Sequence, residues 1–82
     1  MKIGKIYSYP RAAKDLWDGI GPDNSVTDYT VQRGEHFVVL EESCFSGSPD
    51  RAHLKILTMQ GIVGWIAYID KPLLVEVKEE QP

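Results

Sequence analysis

The stretch Leu54–Ile69, LKILTMQGIVGWIAYI, decides the fold. It contains two runs of β-forming residues, His53 to Met59 and Ile62 to Tyr68, separated by Gln60 and Gly61. Because glycine accepts a positive φ, this pair predicts a tight hairpin turn between two strands. The presence of glycine at position 64 needs a different explanation, since glycine weakens the interior of a strand. We expect another strand or side chain to cross close over Gly64, as happens where small barrels bend sharply.

The rest of the chain alternates between short β patterns and turn residues. Further strands are predicted at Lys2 to Tyr9, His36 to Glu42 and Leu73 to Val77. Residues 43–51 form a polar turn cluster, and residues 10–30 show no period, so the latter are predicted to be one long loop. About five short strands with a long first loop predict an all-β fold, a small five-stranded barrel that leaves few strand edges unpaired.

The size of the chain allows one domain. With 82 residues, 43% of them hydrophobic and 26% charged, the composition is that of a small globular protein. We expect a single domain over residues 1–78 and a flexible tail over residues 79–82. No signal-like or membrane-spanning apolar run occurs, and Cys44 is alone, which favours a reducing compartment. These features predict a cytoplasmic protein without a membrane partner.

The charge of the chain argues against nucleic acid as a partner. The formal net charge is −3 and the sequence pI is about 5.2. Binding to a phosphate backbone needs clustered Lys and Arg, whereas here the basic residues are scattered and usually neighbour an acidic residue. We therefore expect a protein or peptide partner. The sequence leaves open whether the chain is a monomer or a homo-oligomer.

Two segments together resemble Src-homology-3 (SH3) domains, both bacterial and eukaryotic. Arg33–Ser43, RGEHFVVLEES, followed by Gly61–Ile66, GIVGWI, is similar to that family's glycine-acid turn, buried strand and G-x-x-G-[WY]-[IV] element. Tyr7-Ser8-Tyr9 is similar to the paired tyrosines that open eukaryotic members. The resemblance covers nearly the whole chain. It implies an SH3-like barrel whose first two strands are joined by a long loop.

The chain departs from the family where proline-rich peptides bind. Ala52-His53 stands where ligand-binding members have a tryptophan that forms one wall of the groove. Ala67-Tyr68-Ile69-Asp70 replaces a P-S-N-Y-like run, so that only a displaced Tyr68 is left to contribute an aromatic ring. Because polyproline II peptides need an aromatic-lined groove, the departures weaken the expectation of that ligand. Bacterial members are associated with cell-wall peptides, which would require export.

Aromatic side chains are the strongest candidates for a binding site, because Trp and Tyr dominate interface energetics. If Ile66 faces the core, Trp65 faces outward on a strand of period two. Either the long loop, through Trp17 or Leu16, covers Trp65, or a partner does. The predicted ligand-binding residues are Tyr7, Tyr9, Trp17, Trp65 and Tyr68.

The predicted function is a non-enzymatic protein- or peptide-binding adaptor that uses the surface between the long first loop and the Trp65 strand. The alternative is a structural or accessory component of a larger assembly, such as a phage-encoded particle. The two differ in what they expose. A peptide binder presents an open aromatic groove, whereas an assembly component buries Trp65 or a sheet edge against copies or a fixed partner.

Catalytic and metal-binding patterns are weak in this sequence. Cys44 with His36 or His53 has the residue types of a thiol protease, yet a barrel this small offers little cleft to exclude water. The aspartates of the long loop do not match the alternate spacing of the twelve-residue calcium loop, and they suit its turns instead; they are Asp15, Asp18, Asp23 and Asp28. We expect no catalytic residue, no metal and no cofactor.

Overall fold

The computed structural model describes residues 1–21 and 23–78, and these residues form an all-β fold. The predicted tail, residues 79–82, lies outside the described residues. No helix in residues 1–21 and 23–78 is long and apolar enough to span a membrane. The strands are β1 (Ile6–Ser8), β2 (Lys14–Trp17), β3 (Val26–Val31), β4 (His36–Phe45), β5 (Ser48–Thr58), β6 (Val63–Asp70) and β7 (Val75–Glu76), with one 3-10 turn at Lys71–Leu73.

The strands form one antiparallel sheet in the order β3-β2-β6-β5-β4-β1-β7. Its end strands, β3 and β7, are not neighbours, so strand pairing does not close it into a barrel. The prediction of five strands is therefore corrected to seven. The extra strands are β2 and β3, which lie within the segment predicted to be a long loop. Strand β2 is only four residues long, and β3 alternates with Thr27, Tyr29 and Val31 on its inner side, so the apolar pattern of this segment is weak. The contact of Leu16 with Gly64 joins the two strands to the sheet.

The core lies on one face of the curved sheet. Leu54 and Ile56 of β5 and Ile66 of β6 are fully buried, at alternate positions, as expected for strands with one covered face. The buried hydrophobic residues are Tyr7, Tyr9, Leu16, Val31, Phe37, Val39, Ala52, Leu54, Ile56, Ile66 and Ile69. They form a single cluster that draws on six of the strands and on the segment between β1 and β2.

The predicted hairpin at Gln60 and Gly61 is confirmed. Gly61 has a φ of +86°, and its amide donates a hydrogen bond to the Thr58 carbonyl at 3.0 Å. The Thr58 amide in turn donates to the Ile62 carbonyl at 2.8 Å. The polar turn predicted over residues 43–51 is shorter in the structure, because β4 runs on to Phe45 and β5 begins at Ser48.

The expectation of a close crossing over Gly64 is also confirmed, and the crossing element is β2. A Cβ atom built on Gly64 would lie 2.6 Å from Leu16 Cγ and 2.8 Å from the Trp17 carbonyl oxygen. Real Cβ contacts essentially never approach this closely. Leu16 is fully buried in the space that a side chain at position 64 would take, and Trp17 pairs with Trp65 across the two strands.

We expect Gly64→Ala to destabilise the fold by about 1–3 kcal/mol, the usual cost of overpacking a core. Urea denaturation would measure the loss. Gly4→Ala provides a contrast, because Gly4 has a φ of +86° and nothing within 4 Å of the place its Cβ would take, whereas Gly64 has no positive φ. The Gly4 variant therefore reports backbone strain without crowding, and the Gly64 variant reports crowding without that strain. An unfolding free energy for Gly64→Ala within about 0.5 kcal/mol of the parent would contradict the crowding argument.

One polar contact holds the end of β3 to the turn before β4. The Tyr29 hydroxyl donates a hydrogen bond to one carboxylate oxygen of Glu35, and the other oxygen accepts the Gln32 amide at 3.0 Å. The hydrogen bond to Glu35, followed by burial and by the negative charge of Glu35, raises the pKa of Tyr29, while a hydrogen bond with Thr58 opposes the shift.

Because the pKa of Tyr29 is raised in the folded state, this contact stabilises the fold below about pH 10, the value for an unfolded tyrosine. That stability is lost as the pH rises through the folded pKa. We expect the ultraviolet titration of tyrosinate, taken as the difference between the parent and Tyr29→Phe, to place the ionisation of Tyr29 above that of free tyrosine. A midpoint at or below the free value would show that the contact does not form in solution.

Candidate functional site

Tyr68 stands out because its backbone is in a conformation that tyrosine rarely adopts. Its φ is +58°, and among residues 1–21 and 23–78 it is the one non-glycine residue with a positive φ. Ala52 pairs with Ile69 and Leu54 with Ile66, so Ala67 and Tyr68 together face His53 in a β-bulge. The bulge turns Tyr68 outward, where its side chain is 62% exposed. Such strained positions cluster at functional sites.

Two neighbouring rings hold the exposed tyrosine in place. The ring of Tyr68 lies 5.2 Å from the ring of His53 and 5.4 Å from the ring of Phe45, between centroids. Phe45 and His53 are themselves 4.7 Å apart in an edge-to-face arrangement. These distances are typical of stabilising aromatic pairs. The three rings come from the last residue of β4, the middle of β5 and the bulge of β6.

The two tryptophans lie beside this ring cluster. Trp17 of β2 and Trp65 of β6 are directly opposite each other, so their side chains share the outer face of the sheet. Both are half-buried. We call Trp17, Trp65 and Tyr68 the aromatic surface.

Two shallow hollows adjoin the aromatic surface, and both are lined by Trp17, Ala67 and Tyr68. The first, about 290 Å³, is lined by Trp17, Gly19, Ile20, Gly21, His53, Trp65, Ala67 and Tyr68. The second, about 340 Å³, extends the other way, to Ala13, Lys14, Asp15 and Thr30. The aromatic surface therefore separates two neighbouring depressions, each able to take a side chain of a bound partner.

The remaining predicted binding residues, Tyr7 and Tyr9, lie in the core. Tyr7 pairs with Phe37 on the buried face, and its hydroxyl accepts a hydrogen bond from the Lys2 amide at 2.7 Å. The Tyr9 ring is almost fully buried, with Lys14 Nζ 5.9 Å from its centroid. The structure thus brings together three of the five predicted residues. The resemblance put Ala52-His53 where the family has its groove wall. In the structure His53 lines the first hollow, because the alternation of β5 buries Ala52 and Leu54 and turns His53 to the outer face.

The charges around the site are unevenly distributed. The hairpin of β2 and β3, residues 14–31, carries four aspartates and one lysine. Asp15 lines the second hollow, while the Asp18 carboxylate accepts the Ser25 amide at 2.9 Å and closes the hairpin. Arg51 is paired with Asp70 at 2.9 Å. The site therefore lies beside a negatively charged hairpin.

Of the candidate residues for thiol chemistry, His36 pairs with Ser8 at the start of β4, whereas Cys44 pairs with Ala52 and its neighbour Ser43 with His53. Cys44 Sγ lies 3.3 Å from Lys71 Nζ, which also donates to Glu42 at 3.1 Å. The hydrogen bond to Glu42 is the main cause of a raised Lys71 pKa, and burial partly opposes it. Within residues 1–21 and 23–78, no group of three or more His, Cys, Asp or Glu side chains could hold a metal ion.

The chain matches no family model, no curated protein and no solved structure. The resemblance to SH3 domains stays a prediction from the residues.

The strain at Tyr68 can be measured with two variants that both remove the ring. Glycine normally lowers strand stability by about 0.5–1 kcal/mol relative to alanine. At a positive φ the order reverses, because an L-residue there costs about 1–2 kcal/mol. We expect Tyr68→Gly to be more stable than Tyr68→Ala by about 1 kcal/mol in urea denaturation. Equal stabilities, or a less stable glycine variant, would mean that the bulge is not formed.

Proposed function

We propose that the chain is a non-enzymatic protein- or peptide-binding module of SH3-like architecture, and that it binds its partner with the aromatic surface. The observation that carries the proposal is Tyr68, whose ring is exposed although its backbone is strained. A purely structural residue at this position would gain stability as glycine or asparagine, because both accept a positive φ more readily. An exposed tyrosine that occupies this position despite the backbone strain suits a role in contact with a partner.

The composition of the aromatic surface supports a binding role. Trp and Tyr are the residues most enriched at the energetic centres of protein interfaces. They bury a large area, yet only a few torsions become fixed when they do. The aromatic surface places three such side chains between two hollows, which suits an extended partner that inserts successive side chains on either side.

The charge of the hairpin favours a neutral or basic partner. Complementary potentials accelerate encounter and exclude wrong partners, so four aspartates beside the site disfavour acidic peptides and nucleic acid. A cytoplasmic location agrees with the lone Cys44.

A second candidate function, a component of a larger assembly, is favoured by a separate feature of the outer face. Ile6, Val38, Leu57 and Val63 pair in succession across β1, β4, β5 and β6. Val63 is 49% exposed at one end of this row. Rows of aliphatic side chains on the open face of a sheet suit burial against another subunit.

Selection from a random peptide library, followed by measured affinities, tests the proposal. We expect selected peptides to lose about tenfold or more in affinity for Tyr68→Gly, since ring truncation at an interface centre commonly costs more than about 1.4 kcal/mol. We also expect them to shift the indole N–H resonances of Trp17 and Trp65. Met59→Gln, on the exposed tip of the β5–β6 hairpin, is the matched control and should bind like the parent.

Peptides that bind Tyr68→Gly as well as the parent would contradict the use of the aromatic surface. If the chain selects no peptide and instead self-associates on a sizing column, and if Val63→Asp restores the monomer, the assembly function replaces the first proposal.

A further inference from the structure

The first hollow has the wall chemistry of a site for an organic cation. Trp17, Trp65 and Tyr68 line it, together with the imidazole of His53. The faces of aromatic rings carry negative charge density and attract cations, tryptophan most strongly. The volume of about 290 Å³ is at the lower end of the range for ligand pockets, so it suits one small head group.

No carboxylate lines this hollow, and this restricts the type of cation. The described lining residues include no Asp, Glu, Lys or Arg. The Ile20 carbonyl is already engaged by the Asn24 side-chain amide. An ammonium or guanidinium group would lose hydrogen bonds to water, and no carboxylate on this wall would replace them.

A quaternary ammonium group has no N–H donor, so it loses no hydrogen bond to water when it enters such a wall. Its charge is balanced by the ring faces and by the field of the neighbouring hairpin, which carries four aspartates and one lysine. The nearest strand partner of Trp65 on β5 is Lys55, and its ammonium group is 3.6 Å from Glu41. In residues 1–21 and 23–78 the one cation over an aromatic face is Lys14 above Tyr9.

We infer that the first hollow binds a quaternary ammonium group, presented as a trimethylated lysine side chain in a basic segment of the partner. The inference rests on the proposed function and adds the chemistry of the partner. Charge complementarity selects this source over a phosphocholine head group, because the phosphate of the latter would be repelled by the aspartates of the hairpin. The second hollow, lined by both Lys14 and Asp15, then receives a neighbouring side chain of the same segment.

Choline and 3,3-dimethylbutan-1-ol provide the first test, because they have the same shape and differ by the charge of one atom. Both tryptophans of the chain line the hollow, so intrinsic fluorescence reports its occupancy. We expect choline to bind at least about tenfold more tightly than the neutral alcohol, given the strength of partly desolvated cation–π contacts. Equal affinities, or no binding by choline, would overturn the inference.

A second test identifies the source of the quaternary ammonium group. It compares a short basic peptide with one lysine in its trimethylated and unmodified forms. We expect trimethylation to raise affinity by about tenfold in the parent and in Met59→Gln, and the gain to vanish in Tyr68→Gly. Phosphocholine binding more tightly than the trimethylated peptide, or the unmodified peptide binding as well as it, would overturn the assignment. Library peptides that bind the aromatic surface without any preference for trimethylation would leave the proposed function standing while the inference fails.

Discussion

The passage of β2 over Gly64 is the contact on which both the fold and the site depend. Leu16 fills the volume above that glycine, and the Trp17 carbonyl lies just beyond it. Only a residue without a side chain allows this approach. The approach joins the β2–β3 hairpin to the rest of the sheet and brings Trp17 opposite Trp65. A single missing side chain therefore adds two strands to the sheet and brings together two of the three residues of the aromatic surface.

The bulge in β6 is the second feature on which the site depends, and the burial of core residues explains why it forms. Ile66 and Ile69 are both fully buried, although residues three apart on a regular strand point to opposite faces. An extra residue between them restores Ile69 to the inner face and forces Tyr68 outward with a positive φ. Burial of Ile69, which contributes about 1.5–3 kcal/mol, offsets the strain of about 1–2 kcal/mol.

The close contact over Gly64 and the bulge in β6 explain how far the sequence could predict the structure. The alternation from Leu54 to Ile66, with glycine at the turn, is local, and it predicted the hairpin and the direction of Trp65. Strand β2 has only four residues, and in β3 the inward positions are Thr27, Tyr29 and Val31, so the apolar pattern there is weak. Their place in the sheet depends on the contact of Leu16 with Gly64. The spacing of Ile66 and Ile69 was a usable signal for the bulge. Without the bulge, the exposure of Tyr68 does not follow, whereas the alternation of β5 is enough to turn His53 outward.

Because the aromatic surface is built on strands, the fold itself fixes its geometry. Trp17 and Trp65 are held by a crossing that cannot widen without exposing Leu16, and Tyr68 is held by a bulge between two buried isoleucines. Under the proposed binding function, little side-chain entropy would then be left to lose on binding, which favours affinity from a small contact. The same arrangement would couple stability to that function. Any change that lifts β2 from Gly64 separates the two indoles at the moment it weakens the core, so in a binding assay loss of affinity alone would not identify a contact residue.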